Sequence, residues 1–234
     1  MIDYANYTVI LPTLNEEATI GRLIRYLLSH YKGISVLVMD DGSKDNTKKI
    51  VERIARKNKK VRFVDRKRLG LERGLTHSIV HGLLEAKTPY AIVMDADLQH
   101  PPEVVAKVAK CLLNHDLAIA VRADVTKWSK WRKFISKSLM LLGLVVLKLG
   151  RKQTSKDIFS GFFGVRTELF KSIYSKNKQR FVGEGYKVLF DLLKCVKSGE
   201  LKICEIPYTF QVRTAGSSKA GVKQAIALLK SFAS

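Results

Sequence analysis

The sequence predicts an α/β protein with a mainly parallel sheet flanked by helices, and three observations support this fold class. Short apolar runs alternate four times with longer stretches that carry apolar residues at helical spacing. The runs are continuous, as in strands that are buried on both faces of a parallel sheet. Polar and acidic residues follow several of them, at the sheet edge where α/β proteins bind ligands.

The first half of the chain supplies four strand and helix pairs, since turn or capping residues separate each apolar run from the helical pattern that follows. The predicted strands are 7–11, 34–39, 61–64 and 90–94. The predicted helices centre on 20–28, 50–54, 72–85 and 104–112. Such alternation predicts right-handed crossovers and hence a mainly parallel sheet.

The second half adds a strand at 117–121, a helical segment at 127–150, helices at about 167–174 and 184–197, and a last strand at 201–206. Residues 158–165 place small residues between aromatic ones, which indicates a close backbone approach to a ligand or neighbour. With 234 residues, the chain fits a single domain, 1–234.

Composition narrows the class of partner and the compartment. The net charge of +21 indicates an anionic partner, which can be nucleic acid, a membrane surface or a phosphorylated substrate. The start of the chain lacks the basic region and apolar core of a secretory signal, so we expect a protein that faces the cytosol. Cys111, Cys195 and Cys204 are odd in number and lie in apolar surroundings, so we expect unpaired cysteines in a reducing compartment.

The stretch 90–103, YAIVMDADLQHPPE, carries the strongest sign of a site. Asp95, Asp97 and Gln99 follow a buried strand at every second position, so their oxygens would share one face if the strand continued. A single Asp there is usually a turn residue, but two close carboxylates repel each other unless a cation lies between them. Carboxylate and amide oxygens suit Mg²⁺ or Mn²⁺, whose remaining ligands would be water or substrate phosphate.

Two common nucleotide-binding loops are absent from the sequence. Neither G-x-G-x-x-G after the first strand nor G-x-x-x-x-G-K-[ST] occurs, which disfavours dinucleotide oxidoreductases and P-loop NTPases. The strand ends carry acidic residues instead: Glu16, Asp40, Asp41, Asp95 and Asp97. Carboxylates can hold ribose hydroxyls, base N–H groups and a metal ion, which in turn can hold phosphates.

Residues 127–150 combine cations and aromatic residues at their start with a nearly unbroken apolar run at 139–149. This run is shorter than the roughly 20 apolar residues that a transmembrane helix needs. It is typical either of a buried core helix or of an interfacial helix, whose tryptophans and cations lie among lipid headgroups. The net positive charge favours the amphipathic, interfacial helix.

Together these residues resemble glycosyltransferase family 2, which has the GT-A fold, and in particular its dolichyl-phosphate mannose synthases and related polyprenyl-phosphate glycosyltransferases. The resemblance covers about residues 7–219. It lies in PTLNE at 12–16, DDGS at 40–43, DADLQHPPE at 95–103, SGFF at 160–163 and residues 213–219. The D-x-D pattern alone is weak, but the nine-residue signature in order with the other motifs is strong.

The resemblance implies a Mg²⁺- or Mn²⁺-dependent enzyme that moves mannose from GDP-mannose to dolichyl or another polyprenyl phosphate, with inversion. The implied donor nucleotide site comprises Pro12, Leu14, Glu16, Asp40, Asp41 and Asp95. The implied metal ligands are Asp95, Asp97 and Gln99. The implied acceptor phosphate site comprises Arg122, Arg132, Ser136, Arg213 and Lys219. Asp97 and Arg213 have the implied catalytic roles.

The resemblance and segment 127–150 predict a peripheral enzyme on the cytoplasmic face of a membrane, without a transmembrane domain or a nucleic-acid partner. The nearer alternative is a UDP-glucose-dependent polyprenyl-phosphate glucosyltransferase. A basic nucleic-acid-binding module would use the same charge and the aromatic residues from Trp128 to Phe134. That alternative leaves the acidic strand ends unexplained, since a polyanion would be repelled there.

Overall fold

The computed structural model describes residues 2–124, 130–181 and 187–211, apart from the side chains of Asp124, Lys130, Arg132 and Lys133. The strands in these ranges are β1 (Tyr7–Thr13), β2 (Ser35–Asp40), β3 (Val61–Asp65), β4 (Tyr90–Val93), β5 (Leu117–Asp124), β6 (Phe163–Arg166) and β7 (Ile203–Thr209). The helices are α1 (Ile20–His30), α2 (Thr47–Lys57), α3 (Leu75–Glu85), α4 (Val104–Leu112), α5 (Lys130–Leu149), α6 (Thr167–Lys176) and α7 (Val188–Lys194).

The strands form one sheet in the order β3-β2-β1-β4-β6-β5-β7. β1 pairs in parallel with β2 and β4, β2 with β3, and β5 with β7. β6 runs antiparallel to both β4 and β5, so the other six strands all point the same way. The predicted mainly parallel sheet is confirmed, and β6 is an additional strand that the sequence did not indicate.

Gly164 explains how the short strand β6 fits beneath a helix. A Cβ atom on Gly164 would lie 2.6 Å from Val108 Cγ1 and 2.7 Å from Leu112 Cδ1, which both belong to α4. A residue without a side chain therefore lets α4 pack this closely over the sheet. The close backbone approach predicted for residues 158–165 is confirmed here, with a helix as the neighbour.

The core has two halves, one on each face of the sheet. Along β1, Val9 and Leu11 belong to the half that α1, α2 and α4 cover, whereas Ile10 belongs to the half under α3, α5, α6 and α7. This alternation follows from the period-two geometry of a strand. All seven residues of β1 are buried, as expected of a central strand with helices on both faces.

Helix α5 turns an apolar face to solvent. Trp131, Phe134, Leu141 and Leu149 are exposed by 71%, 62%, 65% and 81%. With three further exposed residues they recur at three- and four-residue spacing. We call this set the apolar stripe: Trp131, Phe134, Ile135, Leu141, Leu142, Val145 and Leu149.

The opposite side of α5 packs against the core, at Gly143 and the fully buried Leu147. The alternative of a buried core helix is therefore wrong for α5, because one of its faces is both apolar and exposed. The interfacial helix stays a prediction. No helix within the described ranges is long and apolar enough to cross a membrane.

The expectation of three unpaired cysteines is wrong for two of them. Cys111 on α4 and Cys204 on β7 are 93 residues apart in sequence, yet they form a disulfide with a Cα–Cα distance of 6.0 Å. They meet because α4 packs beside β7, which sequence spacing does not reveal. Cys195 is a free thiol, and burial raises its pKa to about 11, so it is a poor nucleophile at neutral pH.

Candidate active site

The parallel strands bring predicted site residues to one edge of the sheet. Thr13 at the end of β1 is the register partner of Asp40 at the end of β2. Asp95 comes shortly after β4, which is the other neighbour of β1. Arg122 lies two residues before the end of β5. The carboxyl ends of these strands form the candidate active site, as they do in other open α/β sheets.

Asp40 closes the turn that follows β2. Its Oδ1 accepts hydrogen bonds from the backbone N–H groups of Gly42 and Ser43, at 2.9 and 2.8 Å. Its Oδ2 accepts hydrogen bonds from the hydroxyls of Ser43 and Thr13. The side chain is 2% exposed, so this carboxylate is used to hold the turn and to join the ends of β1 and β2.

Asp41 holds the basic loop 66–74 against the same turn. Its carboxylate pairs with the buried guanidinium of Arg66 and accepts the backbone N–H of Gly74 at 2.9 Å. Arg66 also donates to Ser78 Oγ at 2.9 Å and to the carbonyl of Glu72 at 2.7 Å. One buried ion pair therefore closes the loop at both of its ends.

We expect Asp41→Ala to destabilise the protein by roughly 3–5 kcal/mol, because the change leaves the Arg66 charge buried without its partner. Urea unfolding followed by circular dichroism measures the change. The matched control is Glu85→Ala, since the pair of Glu85 with Arg62 is half-exposed and should contribute less than about 1 kcal/mol. Equal losses in the two variants would contradict this role of Asp41.

His100 holds Asp95 from inside the core. The imidazole is 2% exposed and stacks on Phe162, and its Nδ1 accepts the backbone N–H of Asp95 at 2.9 Å. Burial lowers the pKa of His100 to about 4, so the ring is neutral at pH 7. Its proton then lies on Nε2, which faces Asp95 Oδ2 at 3.7 Å.

Asp97 and Gln99 lie in the turn that follows Asp95. Asp97 is 3% exposed, and its Oδ1 accepts the backbone N–H of Gln99 at 3.0 Å. Leu98 has a φ of +63°, so the strand considered for residues 95–99 does not continue. Gln99 Nε2 donates to the carbonyl of Gln211 at 3.1 Å, which ties the turn to the chain after β7.

The oxygens in this turn are chemically suited to a hard divalent cation. The side chain of Asp95 is 28% exposed, and Asp97 and Gln99 supply a second carboxylate and an amide oxygen. A Cβ atom on Gly161 would lie 3.8 and 3.9 Å from the two carboxylate oxygens of Asp95, so the glycine keeps space open beside them. No three His, Cys, Asp or Glu side chains form a possible metal site in the part of the chain that the structure describes. Water and substrate phosphate are the usual further ligands of Mg²⁺ in proteins.

Arg122, near the end of β5, forms an ion pair with Asp157 from the loop between α5 and β6. Its Nε and Nη2 each donate to one carboxylate oxygen of Asp157, both at 2.7 Å. Asp157 is 3% exposed and the Arg122 side chain 19%. Burial lowers the pKa of Arg122, but the hydrogen bond and the charge of Asp157 outweigh it, and the pKa is raised. The guanidinium is therefore a permanent cation at this edge.

The other predicted residues fall in three places. Pro12 is buried in β1, and Leu14 and Glu16 follow that strand. Ser136 lies on α5 four residues after Arg132, hence on the same side of the helix. The side chain of Arg132 lies outside the described residues, and so do Arg213 and Lys219 as a whole.

Three residues at the site had no predicted role: Arg66, His100 and Asp157. Arg66 lies in a basic loop without a motif, and His100 is one residue of the DADLQHPPE motif. Asp157 is 35 residues from the arginine that it holds. Each of the three acts on a neighbour that the fold supplies, so composition and spacing gave no signal beyond the residue type.

The sequence matches the model of glycosyl transferase family 2 over residues 8–174. The dolichol-phosphate mannosyltransferase of Pyrococcus furiosus is 33% identical over 219 residues, which cover 91% of this chain and 58% of that protein. The protein of the same name from Saccharomyces cerevisiae is 30% identical over 237 residues, which cover 96% of this chain and 84% of that protein. A third, from Mycosarcoma maydis, is 31% identical, with 91% and 72% covered. The chain thus spans little more than half the length of the Pyrococcus protein.

Solved structures of glucosyl-3-phosphoglycerate synthase from Mycobacterium tuberculosis share the fold. A complex with phosphoglyceric acid has a TM-score of 0.68 at 20% identity, with 98% of this chain and 82% of that chain covered. A complex with Mn²⁺, UDP-glucose and phosphoglyceric acid also has a TM-score of 0.68, with 98% and 81% covered. These neighbours confirm the fold class. The match over residues 8–174 and the three relatives at 30–33% identity show that this chain belongs to glycosyl transferase family 2.

Proposed function

We propose that the protein transfers mannose from GDP-mannose to the phosphate of dolichol or a related polyprenol, with inversion at the anomeric carbon. Three relatives named dolichol-phosphate mannosyltransferase support the proposal. One observation of the site carries it: acidic residues after β2 and β4 share an edge of the sheet with the cation Arg122 on β5. Such an edge can hold a metal-bound donor and an anionic acceptor side by side.

The donor nucleotide would lie over the ends of β1, β2 and β4. We assign its base and ribose to six residues there: Pro12, Leu14, Glu16, Asp40, Asp41 and Asp95. Asp40 and Asp41 would act mainly through the turns that they organise, since their carboxylates accept the hydrogen bonds described above. The backbone of those turns and the side chains of Leu14 and Glu16 would then contact the nucleotide.

Asp95, Asp97 and Gln99 would hold Mg²⁺ or Mn²⁺ at the donor diphosphate. A bound ion offsets the negative charge that develops on the departing diphosphate. The chain's own contribution is to fix the oxygens, because His100 accepts the N–H of Asp95 and Gln99 donates its N–H to Asp97. We assign Asp97 a catalytic role, since it is the more buried of the two carboxylates in the turn and its position is fixed by the Gln99 N–H.

The acceptor phosphate requires no general base, because a phosphate monoester is largely a dianion at pH 7, with a second pKa of about 6. The difficulty is electrostatic, since one anion must approach another. We assign the acceptor phosphate to Arg122, Arg132, Ser136, Arg213 and Lys219, and place Arg213 at the reacting phosphates. Arginines suit this task because they stay charged and bind phosphate through two N–H groups at once.

A panel of nucleotide sugars tests this function. The protein is incubated with polyprenyl phosphate and each donor in turn, with and without Mg²⁺ or Mn²⁺, and the lipid product is identified by mass spectrometry. We expect a mannosyl lipid from GDP-mannose that requires a divalent ion. A glucosyl lipid from UDP-glucose would favour the alternative donor, and the absence of any lipid product would contradict the proposed function.

We also propose that α5 holds the single catalytic domain, residues 1–234, peripherally on the cytoplasmic face of a membrane. The apolar stripe supports this, because burying exposed apolar residues in the headgroup boundary is favourable. The net charge of +21 would add attraction to anionic lipids. The lipid acceptor lies in the same boundary, so this placement would bring the site to its substrate.

Leu141→Asp combined with Val145→Asp should weaken binding to anionic liposomes by about 100-fold, because two stripe residues can no longer be buried. Flotation on liposomes of phosphatidylserine and phosphatidylcholine measures binding. Transfer to a short-chain, water-soluble polyprenyl phosphate should be retained, since neither residue is at the site. The matched control is Leu113→Asp, an exposed leucine after α4 on the other face of the sheet. If both variants floated like the unchanged protein, the stripe would not be the membrane contact.

A further inference from the structure

Asp157 has more contacts at the site than its place in a loop suggests. Its two carboxylate oxygens accept the Nε and Nη2 hydrogens of Arg122, and one of them also accepts the Arg122 backbone N–H at 3.3 Å. The residue is 3% exposed. Because both oxygens are engaged in a fork, the plane and the direction of the guanidinium are fixed together.

The loop around Asp157 is itself anchored at several points. Ser155 Oγ and the backbone N–H of Lys156 both donate to Glu205 Oε1 on β7, at 2.9 and 2.7 Å. Ser160 Oγ donates to the carbonyl of Ala120 on β5 at 2.6 Å. Asp157 therefore lies in a segment, 155–160, that hydrogen bonds attach to β5 and β7 of the sheet.

The same segment connects the two sides of the site and α5. Just after it, Gly161 faces the Asp95 carboxylate. Within it, Ile158 and Phe159 fill the space over Gly143, where a Cβ atom would lie 2.6 Å from Ile158 Cδ1 and 3.0 Å from Phe159 Cζ. Segment 155–160 thus lies between the turn after β4, with Asp95 at its start, and helix α5.

We propose that Asp157 is a positioning residue for transfer, which aims the Arg122 guanidinium at the acceptor phosphate. This inference rests on the proposed function, because it takes the role of Arg122 from there. A long arginine side chain with several rotatable bonds would otherwise need to be ordered by the substrate itself. Asp157 orders the side chain in advance, because it accepts the hydrogen bonds from Nε and Nη2. The direction of the guanidinium is then fixed before the lipid phosphate binds.

A double-mutant cycle tests whether Asp157 acts through Arg122. Asp157→Asn should raise the KM for polyprenyl phosphate or lower kcat/KM for it by about 10–100-fold, with little change in the KM for the nucleotide sugar. In an Arg122→Met background the same change should have little further effect, because the arginine that Asp157 positions is gone. Asp157→Glu keeps the charge and should recover part of the loss.

The structural control is Glu205→Gln, which keeps an oxygen for Ser155 and Lys156 and should leave transfer unchanged. Thermal unfolding of every variant separates folding from function, and the neutral Arg122→Gln serves as the second background if Arg122→Met does not fold. Equal losses from Asp157→Asn in the presence and in the absence of Arg122, or a lower Tm with an unchanged kcat/KM for polyprenyl phosphate, would overturn the positioning role.

Binding of farnesyl phosphate without any donor, measured by calorimetry, separates this inference from the proposed function. The same cycle should appear in the dissociation constant, with Asp157→Asn weakening binding only when Arg122 is present. If the unchanged protein transfers no sugar but shows this cycle, the proposed function fails, while Asp157 still positions Arg122 for a phosphate ligand. If it transfers mannose and the cycle is absent, the positioning role fails alone.

Discussion

Asp97→Asn is expected to lower mannosyl transfer by about 10²–10³-fold while the protein stays folded. The amide keeps an oxygen that can accept the Gln99 N–H, so the turn after β4 should persist. The change removes the negative charge of a side chain that is 3% exposed, and with it part of the affinity for a divalent cation. Initial rates of lipid-linked mannose formation at saturating Mg²⁺ or Mn²⁺ measure the loss.

The matched control for this variant is Asp116→Asn. Asp116 is also a carboxylate beside β5, but it pairs with Arg166 at 3.3 Å and lies before the strand, at the amino edge of the sheet. Its replacement should leave the rate of transfer close to that of the unchanged protein. If Asp97→Asn kept the full rate and the same metal requirement, the turn after β4 would have no part in transfer.

Gly161→Leu is expected to lower transfer by about 100-fold, because the side chain would occupy the space beside Asp95 where the proposed function places the donor. A Cβ atom at this residue would lie 3.4 Å from His100 Cε1 and 3.8 Å from the nearer Asp95 carboxylate oxygen. These are ordinary contact distances, so a methyl group fits and a longer side chain must extend past the carboxylate. The rate of transfer and the affinity for the nucleotide sugar measure the effect.

Gly161→Ala is the control for that variant, since its methyl group meets no atom closer than 3.4 Å. Gly161 has no positive φ to lose, so alanine should cost little in stability and leave most of the transfer rate. Similar rates for the alanine and leucine variants would show that the space beside Asp95 is not used by the donor.

Much of the fold could be predicted because its central strands are buried on both faces. Such strands appear as unbroken apolar runs, and β1, β2 and β4 lie where those runs are. β6 could not be predicted in this way, because it has four residues and Gly164 among them. The Cys111–Cys204 disulfide was also missed, since it depends on α4 packing beside β7 and not on sequence spacing.

The candidate site was predictable where its residues share a short motif. Asp95, Asp97 and Gln99 are close together in the chain after β4, but they lie in a turn and not on one face of a continued strand. Metal binding by these residues stays a prediction. The sequence did not indicate that Asp40 and Asp41 bind groups of the protein itself. Asp40 accepts hydrogen bonds from the turn after β2, and Asp41 pairs with Arg66, and both depend on donors that the fold brings close. The Asp157 and Arg122 pair likewise exists only because β5 and loop 155–160 meet.

The exposure of α5 shows a different limit of sequence reasoning. A nearly unbroken apolar run that follows cations and aromatic residues fits both a core helix and an interfacial helix, and residues 127–150 have this pattern. The structure shows which face of α5 packs on the core, since Leu147 is buried and Leu149 is 81% exposed. Contact of the exposed face with lipid stays a prediction. The sequence could favour the interfacial helix only through the net charge of +21, and could not say which face of the helix packs on the core.

The most direct test of the central claim compares two proteins in one reaction. The unchanged chain and Asp97→Asn are each incubated with GDP-mannose, Mg²⁺ and dolichyl phosphate in anionic liposomes, and the lipid fraction is analysed for mannose. We expect dolichyl-phosphate-linked mannose from the unchanged chain and almost none from the variant. No lipid-linked mannose from the unchanged chain, or equal amounts from both, would contradict mannosyl transfer at the carboxyl end of β4.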